Sequence, residues 1–247
     1  MREAEHPPTG SSNIINSDGA SMLVCPQATT QVRMATQAAY VAYMLRIERP
    51  TNLPLLIRLN VLHALARNAA IMGFWPEGLC KDDYVSPYND HGPRLPHKPF
   101  PLLDCPTALA PTSAQRRIVH HPWIDLFPFP AFRDRVLNAM EAGYIDDDEL
   151  CLSILEMDKH APGENAALLV WGDSSNPRAW EASVPFFRRW GWLVQDCRDL
   201  LESTNYWRAK RGEKELVFSF ASSKMERYDP SDVVESSTKH ETSGINP

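Results

Sequence analysis

Eleven of the 21 prolines fall between residues 76 and 130. Proline fixes φ, removes a backbone donor and pushes the preceding residue out of the helical region. Neither a long helix nor a central strand can run through such a stretch. It is expected to be an extended connection with short turns, of a length that marks either a functional lid or a partly disordered insert. Residues 81–111 are the part expected to be disordered. Regular structure must then be built on either side.

On the N-terminal side, residues 31–47 (QVRMATQAAYVAYMLRI) contain no Gly or Pro and are rich in helix formers. A second helix opens at Asn52, tolerates Pro54 in its first turn and closes at Gly73. Within it Leu55, Leu59, Leu62, Ala66 and Ala69 step by four, three, four and three, the stripe of a core-facing helix. Asn60, His63 and Arg67 flank that stripe, either as a half-exposed polar margin or as a row touching a ligand or partner.

Helical signals return at 131–143, with Phe132, Val136, Leu137 and Met140 on one side and Gly143 at the end. Asp146 and Glu149 have the spacing of a capping box, so the acidic run IDDDE reads as a helix start; it lacks the glycine and alternating oxygen ligands of a calcium loop. ALLVWG (167–172) is a short buried strand or an apolar turn. One amphipathic helix is expected from Ser183 to Glu202, with Pro185 in its first turn and a bend at Gly191. TNYWRAKRGEK, which follows, reads as a solvated helix end. Residues 1–28 and 219–247 are polar, poor in apolar residues and expected to be disordered tails. The fold expectation is all-α: a multi-helical single globular domain over 29–218 with a long Pro-rich connection.

A net charge of −6 argues against a free-standing nucleic-acid binder. No run of 18 apolar residues suggests a membrane span, and the N-terminus lacks the pattern of a signal peptide. Cys25, Cys80, Cys105, Cys151 and Cys197 are dispersed and odd in number, which suits reduced thiols.

Chemistry is sparse. His120 and His121 are adjacent, so on regular structure they point apart, whereas helical metal pairs favour i and i+4. Their expected role is structural: an imidazole bonding the backbone of a Pro-rich turn while Trp123 and Phe127 plug the core, with Asp125 and Arg133 pairing across the turn. No GxSxG elbow and no glycine-rich phosphate loop is present. Asp173 and Glu181 read as readily as helix caps as they do as acid and base. Five of the seven tryptophans, Trp171, Trp180, Trp190, Trp192 and Trp207, cluster in the C-terminal part. They suit a core, a ligand pocket or a partner hot spot.

Three stretches carry a resemblance: LIRLNVLHALARNAAIMG ending at Gly73, HHPWIDLFPFPAFRDRVL at 120–137, and VWGDSSNPRAWEASVPFFRRWGWLVQDCRDLLESTNYWRAKRGEKEL at 170–216. Their order and rare residues are similar to the fungal domain of unknown function usually found C-terminal to a bZIP basic region in transcription factors. The resemblance spans about 31–216. It departs at Ser174 and Ser175, where the family tends to carry Pro-Trp, and at Pro185, where a polar or acidic residue is commoner. The basic zipper itself is not encoded here: residues 68–76 (NAAIMGFWP) lack cations, and Leu55 and Leu62 are followed at seven-residue steps by Ala69 and Pro76.

The resemblance implies a nuclear transcription-regulatory or protein-interaction module, whether a truncated gene product or a stand-alone relative, and otherwise a cytoplasmic protein. No enzyme activity, cofactor or metal is expected. The expected partner is a DNA-binding transcription factor, and the alternative is a small hydrophobic ligand in a stand-alone binding domain. Neither nucleic acid nor membrane is expected to be contacted directly. Candidate contacts are Asn60, His63, Arg67, Trp171, Trp180, Trp190 and Trp207.

Overall fold

A computed structural model describes residues 53–74, 79, 83–94, 105–155, 167–218 and 233–235, with scattered positions between 34 and 46. The expected tail at 1–28 lies outside the described residues, as does much of the expected helix at 31–47. Positions 34, 37, 38, 40–42 and 44 are helical.

Helix α1 spans Leu53–Met72. Its buried face includes Leu59, Leu62, Ala66 and Ala69, and in addition Val61, Leu65 and Met72. It ends where Gly73 takes a left-handed φ of 76°. There Phe74 N–H reaches back to the Ala69 carbonyl and Gly73 N–H to that of Ala70, which satisfies two of the helix's last carbonyls. The same ending closes α3 at Gly143.

The proline-dense connection is more ordered than its composition suggests. Residues 83–94 and 105–111, expected within a disordered insert, pack against the molecule, with Ser86, Tyr88, Asn89 and Leu109 buried. Side chains substitute for the missing backbone ladder. Asn89 Nδ2 spans the Gln115, Arg116 and Ile118 carbonyls at 3.1, 3.1 and 2.7 Å. Thr112 and Gln115 form a capping box that starts the short α2 (Ser113–Arg117). A 3-10 turn over Pro122–Leu126 then leads into α3 (Pro130–Glu141) and α4 (Asp147–Leu155).

The fold is mostly helical but not all-α. Strands β1 (Leu168–Val170) and β2 (Trp180–Ala182) form an antiparallel ribbon, pairing Leu169 with Glu181. A second antiparallel pair joins β3 (Leu216–Phe218) to β4 (Val233–Glu235). The expected C-terminal tail at 219–247 therefore contributes a strand. Between the ribbons, the single helix expected over 183–202 is two. Ser183 caps α5 (Val184–Trp190), accepting from Phe186 N–H, and a 3-10 turn at Gly191–Leu193 interrupts. The chain then restarts as α6 (Arg198–Lys210). Glycine's weak helix propensity sets the break, and TNYWRAK belongs to α6.

The core joins α1, the Pro122–Leu126 turn, α3, β1, β2 and α5 through Trp123, Phe127, Trp180 and Phe187, each at most 1% exposed. Each such ring buries about 150–250 Å². Asn68 on α1 clips two loops to this core, donating to the Leu126 carbonyl (2.8 Å) and the Ser174 carbonyl (3.0 Å). Among the described residues Cys105, Cys151 and Cys197 are free thiols, and burial pushes Cys197 up to about 12.

Candidate functional site

Two polar constellations stand out, one sealed and one open. The sealed one is the corner at 120–133. Asp125 has no exposed surface. Its carboxylate accepts from Ser86 Oγ, Gln115 Nε2 and, at 2.7 Å, His120 Nε2. The other imidazole nitrogen, Nδ1, faces the Ile118 carbonyl at 2.7 Å. Both ring nitrogens thus meet acceptors, which is the pattern of an imidazolium. Burial lowers the His120 pKa, but the Asp125 charge and hydrogen bond outweigh it and leave it raised.

Arg133 does not pair with the Asp125 carboxylate as expected. Its guanidinium instead donates to four backbone carbonyls, of Asp125, Leu109, Ala108 and Ala110, at 2.9–3.4 Å. Burial lowers the Arg133 pKa. This corner is a buried lock between loop and helix.

His121 turns the other way, its Nδ1 2.5 Å from Asp147, which also accepts from Trp123 Nε1 at 3.4 Å. Burial raises the Asp147 pKa, but these bonds to His121 and Trp123 win and hold it below the ordinary aspartate value. Asp146, Asp147 and Asp148 are the one group of possible metal ligands found among the described residues. Asp147 is committed to His121, and Asp146 accepts from the Asp148 N–H at 3.0 Å, so the acidic run is accounted for as the start of α4.

The open constellation surrounds Trp171, which is 46% exposed. Its ring stacks on Trp207 at 5.2 Å and 23°. Its Nε1–H donates to Glu181 at 2.7 Å. Glu181 is buried and also receives a two-pronged bond from Arg211, at 2.9 and 2.5 Å. The Arg211 guanidinium lies 5.7 Å from the centre of the Trp171 ring. Hydrogen bonds to Glu181 and then Glu213 raise the Arg211 pKa, and Arg211 in turn lowers that of Glu213. Glu181 is therefore a strand residue that fixes Trp171 and Arg211, not a helix cap. Asp173 caps the following turn, accepting from Ser175 N–H and Oγ at 3.0 Å each.

Two cavities meet at Trp171. One, of about 620 Å³, has Ile57, Leu169, Val184 and Pro185 as an apolar side, with Asn60, Glu181, Arg208, Arg211 and Glu213 also in its lining. The other, of about 680 Å³, runs between the 171–179 loop and α6, with Asp173, Arg178, Asp199, Glu202, Tyr206 and Trp207 among its lining.

Of the candidates read from sequence, Asn60, Trp171 and Trp207 come together here. Asn60 Nδ2 donates to the Val170 carbonyl at 3.0 Å, and Trp207 Nε1 to that of Arg178 at 2.9 Å. Trp180 is fully buried, bonded to the Ser174 carbonyl and packed on Phe127 and Phe129. Trp190 is buried and bonded to Ser153 Oγ at 2.8 Å. His63 and Arg67 line neither cavity. Sequence reasoning missed Tyr206 and Arg211, and it named Glu181 without its role. Arg211 reaches Glu181 of β2 only through the tertiary contact between α6 and the ribbon, which no local pattern marks. TNYWRAKRGEK is not simply solvated, because Thr204 and Arg208 are buried.

Residues 97–201 match a family model described as a domain of unknown function (DUF3425). The match takes in the sealed corner, Trp171 and Glu181, and stops before Tyr206, Trp207 and Arg211. No curated protein and no solved structure matches the chain. No helix among the described residues is long and apolar enough to cross a membrane.

Proposed function

We propose that this chain is a non-catalytic, transcription-regulatory interaction module whose contact face is the Trp171–Trp207 pair and the groove beside it. One observation carries the reading: a stacked, half-exposed indole pair held rigid by a buried glutamate and its arginine. Rigid aromatics lose little conformational entropy on contact, and pairs of them anchor interfaces. The histidine and carboxylate best placed for acid–base work, His120 and Asp125, are by contrast closed off from any substrate. The resemblance to the domain that follows fungal bZIP regions supplies the partner class, a DNA-binding transcription factor, and the nuclear setting.

The test is affinity capture from nuclear extract with the wild-type chain and with Trp171→Ala, followed by identification of the retained proteins. A partner carrying a DNA-binding domain, retained by the wild type and lost with the variant, is the expected result. Equal retention by both proteins would remove this face from the interaction.

The cavity with Ile57 and Leu169 on its apolar side supports a second reading, a site for a hydrophobic small molecule. Its volume of about 620 Å³ falls within the range of ligand pockets. A hydrophobic compound that quenches tryptophan emission and raises Tm favours it, since binding only the native state stabilises it.

A further inference from the structure

The groove between the 171–179 loop and α6 differs in character from the cavity on the other side of Trp171. Along α6, Asp199, Glu202 and Tyr206 follow at spacings of three and four, so they share one face of the helix. All three are exposed, Tyr206 at 53%. Facing them, the loop contributes Trp171, Asp173 and Arg178. Three carboxylates and one guanidinium line the groove, and the Lys210 and Arg211 cations lie over its rings. Among the described residues no cation stands within ion-pair distance of Asp199 or Glu202.

The rings of this face already hold cations from the chain itself. Lys210 Nζ lies 5.3 Å from the centre of Tyr206, and Arg211 Cζ lies 5.7 Å from that of Trp171. Aromatic faces attract ammonium and guanidinium groups through the ring quadrupole, and methylene stems lie well on flat rings while their charged heads reach acidic neighbours. Along the helix axis Asp199 to Tyr206 spans roughly 10 Å at 1.5 Å per residue. Same-side residues of an extended peptide recur about every 6.6 Å, so two cationic side chains match that rail.

We propose that this groove binds a basic peptide segment, its Lys or Arg side chains lying along Tyr206 with their charges towards Asp199, Glu202 and Asp173. The inference rests on the reading of this face as a protein-contact surface and names the chemistry of the partner. An open groove whose carboxylates are spaced along a helix fits several cations in a row better than one compact amine.

The test uses the full chain and three probes: a fluorescein-labelled hexapeptide alternating lysine and serine, the same peptide with acetylated lysines, and unlabelled lysine amide as competitor. Anisotropy titrations are expected to show the lysine peptide binding. Its Kd should rise at least tenfold in an Asp199→Asn/Glu202→Gln double variant and severalfold in Tyr206→Ala. These exposed substitutions are checked for unchanged Tm. The affinity should also fall as salt rises.

Acetylated peptide binding as tightly as the lysine form, an unaffected double variant, or no binding of the lysine peptide overturns the proposal. Lysine amide competing at the peptide's own concentration range also overturns it, in favour of a small amine ligand. If Trp171-dependent partner capture persists while the lysine peptide fails to bind, the contact-face reading stands and the basic-peptide chemistry falls. If the lysine peptide binds as expected but capture ignores Trp171→Ala, the groove chemistry stands and the functional reading falls.

Discussion

Trp180 and Trp171 sit at opposite ends of one short turn, yet Trp180 has no exposed surface and Trp171 keeps 46% of its own. Each donates its indole N–H, Trp180 to a backbone carbonyl of that turn and Trp171 to a carboxylate that Arg211 also holds. The corner at 120–133 and the groove at 171–211 are built from the same ingredients: tryptophan, carboxylate and a cation. They differ in access to water. In the corner, removing any member leaves a buried charge or donor without a partner, so the arrangement stabilises the fold and offers nothing to a ligand. In the groove the charge pair is satisfied below the surface and its aromatic partner is left presented. Polar clusters in this molecule divide into locks and platforms, and exposure of the aromatic member tells them apart.

The strongest test of this division is Asp125→Ala. It leaves the His120 imidazolium, Gln115 and Ser86 facing an empty site, and breaking such a buried pair costs roughly 3–5 kcal/mol. Against a typical total stability of about 5–15 kcal/mol, chemical denaturation should show a sharply lowered midpoint or an unfolded chain. A loss below about 1 kcal/mol would mean that the corner is not a lock.

Next comes the paired comparison of the two tryptophans. Trp180→Ala opens a large cavity against Phe127 and Phe129 and should cost about 3–5 kcal/mol. Trp171→Ala gives up a stacked contact and one hydrogen bond to Glu181, whose carboxylate keeps Arg211, and should cost about 1–2.5 kcal/mol, while abolishing partner capture. Similar stability losses in the two variants would erase the distinction.

A smaller effect tests the corner by pH. The folded-state pKa of His120 is raised, so its contribution is complete below the ordinary histidine value, near 6.5, and is lost as pH rises through the folded value. Asp147 has a lowered pKa, so its contribution is present above the ordinary value of 3.8 and is lost as pH falls through the folded one. Tm should therefore be highest in mildly acidic buffer and fall towards pH 8, and His120→Gln should flatten that decline. A wild-type Tm that climbs from pH 6 to pH 8 would contradict the imidazolium assignment.

What could be read from the sequence follows the reach of the interactions involved. Helix α1 was legible because Pro54, the apolar stripe and Gly73 are local signals that agree with one another. The structural role of His120 and the burial of Trp123 and Phe127 were also readable, since a Pro-rich turn must satisfy its carbonyls with nearby side chains. The ribbon was half visible, as ALLVWG. Its partner strand was hidden because Trp180–Ala182 has no apolar alternation and is buried on every residue. The order within 83–94 escaped notice for a similar reason. Asn89 and Ser86 are polar residues whose partners lie more than 20 positions away. The groove was missed because α6 was expected to end before Tyr206; Trp171 and Trp207 were both read as candidate contacts, but no local pattern shows that they stack on each other.

The smallest effect concerns Ser174, where lock and platform meet. Its carbonyl is held from within by Asn68 and Trp180, while Asp173 beside it faces the groove. Its hydroxyl is 1% exposed at the residue level and has no protein partner, and neither has Asn68 Oδ1. A buried hydroxyl without a bond costs free energy that an alanine methyl does not, so Ser174→Ala should leave stability unchanged or raise it by up to about 1 kcal/mol. The backbone bonds from Asn68 and Trp180 survive the change, so Trp171 should stay in place and partner capture should be unaffected. A loss of more than about 1 kcal/mol would show the hydroxyl bridged to Asn68 by a buried water, which extends the lock one residue further towards the groove.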